Sequence, residues 1–208
     1  MNLSTSILPN QMPRHMSFSP QDPNALIVTG RDCYRFIKKL ENDSLKVFYK
    51  EITSQKNLVA LDLDTNITCH CWLGDGRFIL CNEKGQIMLM EGNGDFKQFT
   101  ISASNRNAVP ICSVIPYTMG GGEAGAKPGV NQKTGFIIAT LGGLFRVFVK
   151  TDNESRQPYR RVEGDDLFPA YSQLDAEKRL EKDLSYMKVP CMALSPREDA
   201  LVFTMSSN

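Results

Sequence analysis

Cys69-His70-Cys71 sets three metal-ligating side chains in succession, the densest chemical signal in the chain. Zinc needs such groups to converge on one point. On a β-strand, neighbouring side chains leave opposite faces, so His70 cannot meet both thiols at one ion. The triplet therefore reads as a strand carrying two buried thiols, and no compact polar cluster is expected around His70. Only one other histidine, His15, exists to build a catalytic dyad. Gly164-Asp165-Asp166 pairs two carboxylates, but adjacent loop residues diverge and stay solvated. Arg160-Arg161 beside Glu163 reads as a surface charge cluster rather than an anion site. The glycines between 119 and 134 lack a strand–loop–helix context, and Lys127 precedes Pro128 rather than Ser or Thr, which argues against a phosphate cradle. With no Gly-x-Ser-x-Gly, Cys-x-x-Cys, Walker or Rossmann pattern, the expectation is a non-enzyme with no catalytic, metal or cofactor residue.

The elements that carry these residues read as strands. Short alternating or β-branched runs recur at 15–19, 25–29, 33–38, 45–49, 67–72, 78–81, 86–90 and 96–101. They continue at 110–115, 136–140, 144–150, 189–194 and 201–205, each bounded by Gly, Asp, Asn or Pro. Three segments share one grammar of strand, tight turn, strand, turn and strand. Ser17-Phe18-Ser19-Pro20-Gln21-Asp22 leads into Ala25–Thr29, and Leu194-Ser195-Pro196-Arg197-Glu198-Asp199 leads into Leu201–Thr204. Trp72-Leu73-Gly74-Asp75-Gly76 leads into Phe78–Cys81 in the same way. A unit of this kind, repeating at about 40–50 residues, is what a WD-type propeller blade requires. The fold class is thus all-β, a partial WD-repeat-like β-propeller of about three and a half blades with one inserted helix. The blades fall at about 14–50, 65–101, 108–163 and an incomplete 188–208. The Trp-Asp and Gly-His pairs of regular repeats are missing, and a β-sandwich is the competing architecture.

Two segments break the rhythm. Residues 119–134 form a Gly-rich loop insertion. Residues 167–187 form a helical insertion, with the helix itself at 171–187. Ser172 and Asp175 open it as a capping box, and Asp175 can pair with Arg179 one turn on. Ala176, Leu180, Leu184 and Met187 follow at steps of four, four and three, giving one apolar stripe. That stripe either packs on the propeller rim or docks a partner, which makes these four the candidate partner-binding residues.

Composition sets the remaining bounds. Among 208 residues, 24 Lys+Arg against 23 Asp+Glu give a net charge of +1, so neither nucleic acid nor anionic lipid is an expected partner. No run reaches the 18 or so apolar residues of a membrane span, and residues 1–16 carry Pro9 and Pro13 without an apolar h-region. The six cysteines are then expected to be reduced, buried thiols of a cytosolic protein, with three disulfides as the alternative.

Ser17-Phe18-Ser19-Pro20-Gln21-Asp22 with Val28-Thr29-Gly30 resembles a blade start of the cilia- and flagella-associated protein 57 family of axonemal WD-repeat proteins. His70-x-Trp72 with Asp75, then Gly85-Gln86-Ile87 and Glu91, is similar to the next blade of that family. Gly135-Phe136 with Arg146-Val147-Phe148 resembles the blade after, and Cys191–Thr204 a later blade start. The order covers nearly the whole chain, with departures at 105–134 and 153–183. The resemblance implies a non-catalytic scaffold of the axoneme in a cilium or flagellum, a cytoplasmic and cytoskeletal location, and inner dynein arm and regulatory-complex components as partners. It also implies a coiled coil outside this chain that could self-associate, and a chain that stops within a blade, either as a middle piece of a longer protein or as an incomplete gene model. A generic cytosolic WD-repeat adaptor of another complex is the alternative.

Overall fold

The computed structural model describes residues 12–39, 45–48, 66–94, 96–101, 109–119, 133–141, 145–152, 157–162, 187–197 and 200–207. The chain divides into two compact units, Met1–Ala108 and Val109–Asn208. All regular structure among the described residues is antiparallel β-sheet.

The first unit holds two four-stranded meanders. β1 (Met12–Phe18), β2 (Ala25–Arg31), β3 (Cys33–Lys39) and β4 (Leu45–Phe48) pair in chain order as sheet A. β5 (Ile67–Trp72), β6 (Phe78–Asn82), β7 (Ile87–Met90) and β8 (Phe96–Ile101) do the same as sheet B. Register assigns the faces. Ser17, Ile27 and Phe36 align across sheet A, while Trp72, Phe78 and Met90 align across sheet B. These rows meet in one core of Ala25, Ile27, Phe36, Ile67, Trp72, Phe78, Leu80, Met88 and Met90. Phe36 stacks on Phe78 at 6.1 Å, and Trp72 tilts against Phe78 at 5.0 Å. Gly94 closes this core at one corner: its φ is +86°, and a Cβ there would lie 2.9 Å from the Phe36 ring.

The second unit repeats the plan. β9 (Ile111–Met119), β10 (Lys133–Thr140), β11 (Phe145–Lys150) and β12 (Tyr159–Arg161) form sheet C in the order β12-β11-β10-β9. β13 (Met187–Leu194) and β14 (Leu201–Ser207) form a two-stranded sheet D. Ala139 packs with Val189, Met192 and Leu201, flanked by Ile115, Phe145, Leu194 and Phe203. Phe136 stacks on Phe148 at 4.9 Å and meets Tyr159 edge-on at 5.2 Å.

Consecutive up-and-down meanders stacked face to face are the sheets of a propeller blade. The fold is all-β, a partial WD-repeat-like propeller, with three four-stranded sheets and one two-stranded sheet among the described residues. The Ser-Pro turns have the same closure in both places. The Ser19 N–H donates to Ala25 O at 2.8 Å, and the Ser195 N–H donates to Ala200 O at 2.8 Å. Ser19 Oγ also accepts the Asp22 N–H at 3.2 Å, and Ser195 Oγ accepts the Ala200 N–H at 3.2 Å. The hydroxyl accepts backbone N–H donors that a tight reversal leaves unmet, which is why Ser recurs there.

Three local expectations change. The Gly-rich insertion is shorter than 119–134, because Met119 pairs with Lys133 and Thr118 with Thr134, carrying the β9–β10 hairpin past the apolar run. Pro116 does not stop β9, since β9 is an edge strand and can forgo one ladder donor. Met187, expected to close the helix, instead opens β13 opposite Ser207. The rest of the helical insertion lies outside the described residues.

Candidate functional site

Polar side chains converge in the first unit, inside the interface between sheets A and B. The β5 burial pattern alternates: Cys69 and Cys71 are buried on one face, and His70 faces sheet A from the other. There Ser17 Oγ lies 2.7 Å from His70 Nε2, and Thr29 Oγ1 lies 2.7 Å from His70 Nδ1. Trp72, two residues on and so on the same face, donates its indole N–H to Ser17 Oγ at 3.1 Å. His15 meets the His70 ring edge-on at 6.4 Å. This corrects the expectation that no compact polar cluster surrounds His70. Strand alternation governs only partners from the same strand, whereas these hydroxyls come from β1 and β2 of the neighbouring sheet.

Satisfying the buried Thr29 donor assigns the tautomer. Thr29 is wholly buried, and His70 Nδ1 is its hydrogen-bond partner, so its O–H donates to that nitrogen. Nε2 then carries the ring proton and donates to Ser17 Oγ, which also accepts from Trp72. Ser17 is only half-buried, so its own O–H can turn to water. Nε2 carrying the ring proton cannot take the Ser17 proton, and a hydroxyl rather than a carboxylate stands behind Nδ1. The geometry of a serine nucleophile and base is present, but its proton placement is reversed. Burial, and secondarily the neighbouring His15 charge, lower the His70 pKa from 6.5 to about 4, which keeps the ring neutral near pH 7. What the cluster does is join sheets: one imidazole bonds to two strands of sheet A from the inner strand of sheet B.

The thiols lie on the far face of sheet B. Cys69 stands opposite Cys81, with Cys71 two residues along from Cys69. Burial pushes the thiols of Cys33, Cys71 and Cys81 up, which holds them protonated and poorly nucleophilic. All six cysteines are free; Cys112 is half-buried, and Cys191 is exposed rather than buried.

At one end of the same interface, Gln21 of the β1–β2 turn donates its side-chain amide to Gly74 O of the β5–β6 turn. Arg77 is buried against Asp75, its Nε donating to Asp75 Oδ2 at 3.0 Å. At the β6–β7 turn, Asn82 Oδ1 accepts the backbone N–H groups of Lys84 and Gln86 at 3.1 and 2.9 Å. These contacts order the turns.

Of the other residues singled out from sequence, Arg160 and Arg161 lie in β12. Ala176, Leu180, Leu184, Glu163 and the Gly164-Asp165-Asp166 run lie outside the described residues. Ser17 and Thr29 were missed as members of a cluster. The signal for them was their placement in a blade-start pattern with His70-x-Trp72 one blade later.

No family model and no curated protein matches this chain. Among solved structures it is similar to the C-terminal WD40 domain of Sif2, at 17% identity and a TM-score of 0.41. That alignment covers 72% of this chain and 37% of the other. At that distance the likeness bears no weight, and the description of the fold rests on the sheets themselves.

Proposed function

We propose that this chain belongs to a non-catalytic WD-repeat scaffold that mediates protein–protein contacts. More finely, it is a component of the ciliary or flagellar axoneme that holds inner dynein arm and regulatory-complex proteins together. The observation that carries the scaffold reading is the His70 joint. Among the described residues, the polar constellation with the atoms of a catalytic dyad lies part-buried between two sheets and bonds one to the other, so it holds surfaces in place. Stacked meanders of this kind present edges and turns to several partners at once. The axonemal part of the reading, with its cytoskeletal location, rests on the resemblance of the Ser17–Gly30, His70–Glu91, Gly135–Phe148 and Cys191–Thr204 segments.

Purification of the tagged full-length protein from ciliated cells tests the partner class. Inner dynein arm and regulatory-complex components should co-purify; recovery of an unrelated cytosolic assembly would replace this reading with a generic adaptor. The stripe of Ala176, Leu180 and Leu184 is the proposed docking face. Leu184→Asp should leave the thermal melt unchanged and reduce recovery of those partners. Unfolding would make the stripe core, and unchanged recovery would remove it as a docking face.

A further inference from the structure

Sheet C carries two arginines on neighbouring strands, Arg146 and Arg161. Arg161 of β12 stands opposite Phe148 of β11, and Arg146 is two residues from Phe148 on the same strand. Side-chain alternation therefore puts both guanidiniums on one face, as diagonal neighbours across the β11–β12 ladder. Arg160, opposite Val149, leaves from the other face. Arg146 is half-buried, while Arg161 is exposed. Among the described residues neither has a carboxylate at ion-pair distance. Burial, and next the Arg161 charge, lower the Arg146 pKa from its ordinary value. Two like charges, one partly desolvated, gain from an anion that bridges them, and guanidiniums match carboxylates in a two-pronged geometry.

The backbone beside them suits an extended ligand. Among the described residues β12 is the edge strand of sheet C. The Val162 N–H donates to Val147 O, and the Thr151 N–H donates to Pro158 O. In an antiparallel ladder these bonded pairs alternate with non-bonded ones, so the Arg161 N–H and C=O point away from β11 toward the open edge. An added strand would find backbone partners there and two cations within reach of its side chains.

We propose that Arg146 and Arg161, with the β12 edge, form a docking site for an extended acidic peptide segment of a partner protein. The site goes beyond the scaffold reading and does not depend on the axonemal identity of the partner. The probe is a fluorescein-labelled peptide of alternating Glu and Val, titrated with residues 1–208 and read by anisotropy. Binding should weaken as NaCl rises, and by about tenfold for Arg161→Gln alone. It should weaken further for Arg146→Gln/Arg161→Gln, while Arg160→Gln on the opposite face binds as the parent does. Arg161 is exposed, so its substitution tests the site even if the double variant does not fold. Equal affinity for Arg161→Gln and the parent would overturn the proposal. So would binding that appears only after Glu163→Gln/Asp165→Asn/Asp166→Asn, because the chain's own acidic run would then be the occupant. The dynein-complex recovery described above is a separate readout, so either idea can fail alone.

Discussion

Replacing His70 with Gln should convert an acid-sensitive inter-sheet joint into an acid-insensitive one. In the folded chain His70 titrates at about 4, against 6.5 in the unfolded chain. The native state therefore favours the neutral ring, and the unfolded state binds more protons everywhere between those values. Stability from this group is fully present above pH 6.5 and falls as pH drops toward 4. Below pH 4 the loss stops, because both states are then protonated. Over that interval the loss is roughly 3 kcal/mol. Removing the ring has its own cost at pH 7, because Thr29 Oγ1 is wholly buried and loses its acceptor. That cost is about 1–3 kcal/mol. Urea unfolding of the parent and His70→Gln at pH 7.5, 6.5, 5.5 and 4.5 gives both quantities. The parent should be the more stable at pH 7.5, the gap should close as pH falls, and the two should become equal or invert near pH 4.5. Carboxylate titration affects both proteins alike and cancels in the difference. A gap that stays constant with pH, or a His70 ring that titrates near 6.5 by NMR, would refute the buried neutral joint.

Trp72→Phe removes the indole donor to Ser17 Oγ and should destabilise by about 1–3 kcal/mol, read by denaturant midpoint. Phe136→Ala opens the stack with Phe148 and Tyr159 and should cost about 3–5 kcal/mol, read by the same midpoint. With a colorimetric thiol reagent, exposed Cys191 should react first in the native protein, and Cys33, Cys69, Cys71 and Cys81 only on unfolding; rapid labelling of all six would contradict the burial of sheet B. Met16 and Phe18 are largely exposed on β1, and Met16→Lys/Phe18→Lys should lower self-association of residues 1–208 measured by sedimentation.

Strand positions were legible because β-branched and aromatic runs end at Gly, Asp, Asn or Pro, and the Ser19-Pro20 and Ser195-Pro196 turns repeat one hydrogen-bonding device. β12 was not legible as a strand: Tyr159-Arg160-Arg161 has no alternation, and it is held by the ladder to Phe148, Val149 and Lys150. The extensions of β9 and β10 past the apolar run were hidden for the same reason, since pairing rather than hydrophobicity sustains them. The opposition of His70 to Cys69 and Cys71 followed from strand period alone. Its bonds to Ser17 and Thr29 did not, because they join residues 53 and 41 positions apart and depend on how one sheet stacks on the next.

The scaffold reading meets its most direct test in the distribution of the tagged full-length protein after detergent removes the ciliary membrane and soluble matrix. Retention in the demembranated axoneme, with release by high salt alongside inner dynein arm components, is the result expected. A protein found only in the cell body or the detergent-soluble fraction would contradict an axonemal scaffold.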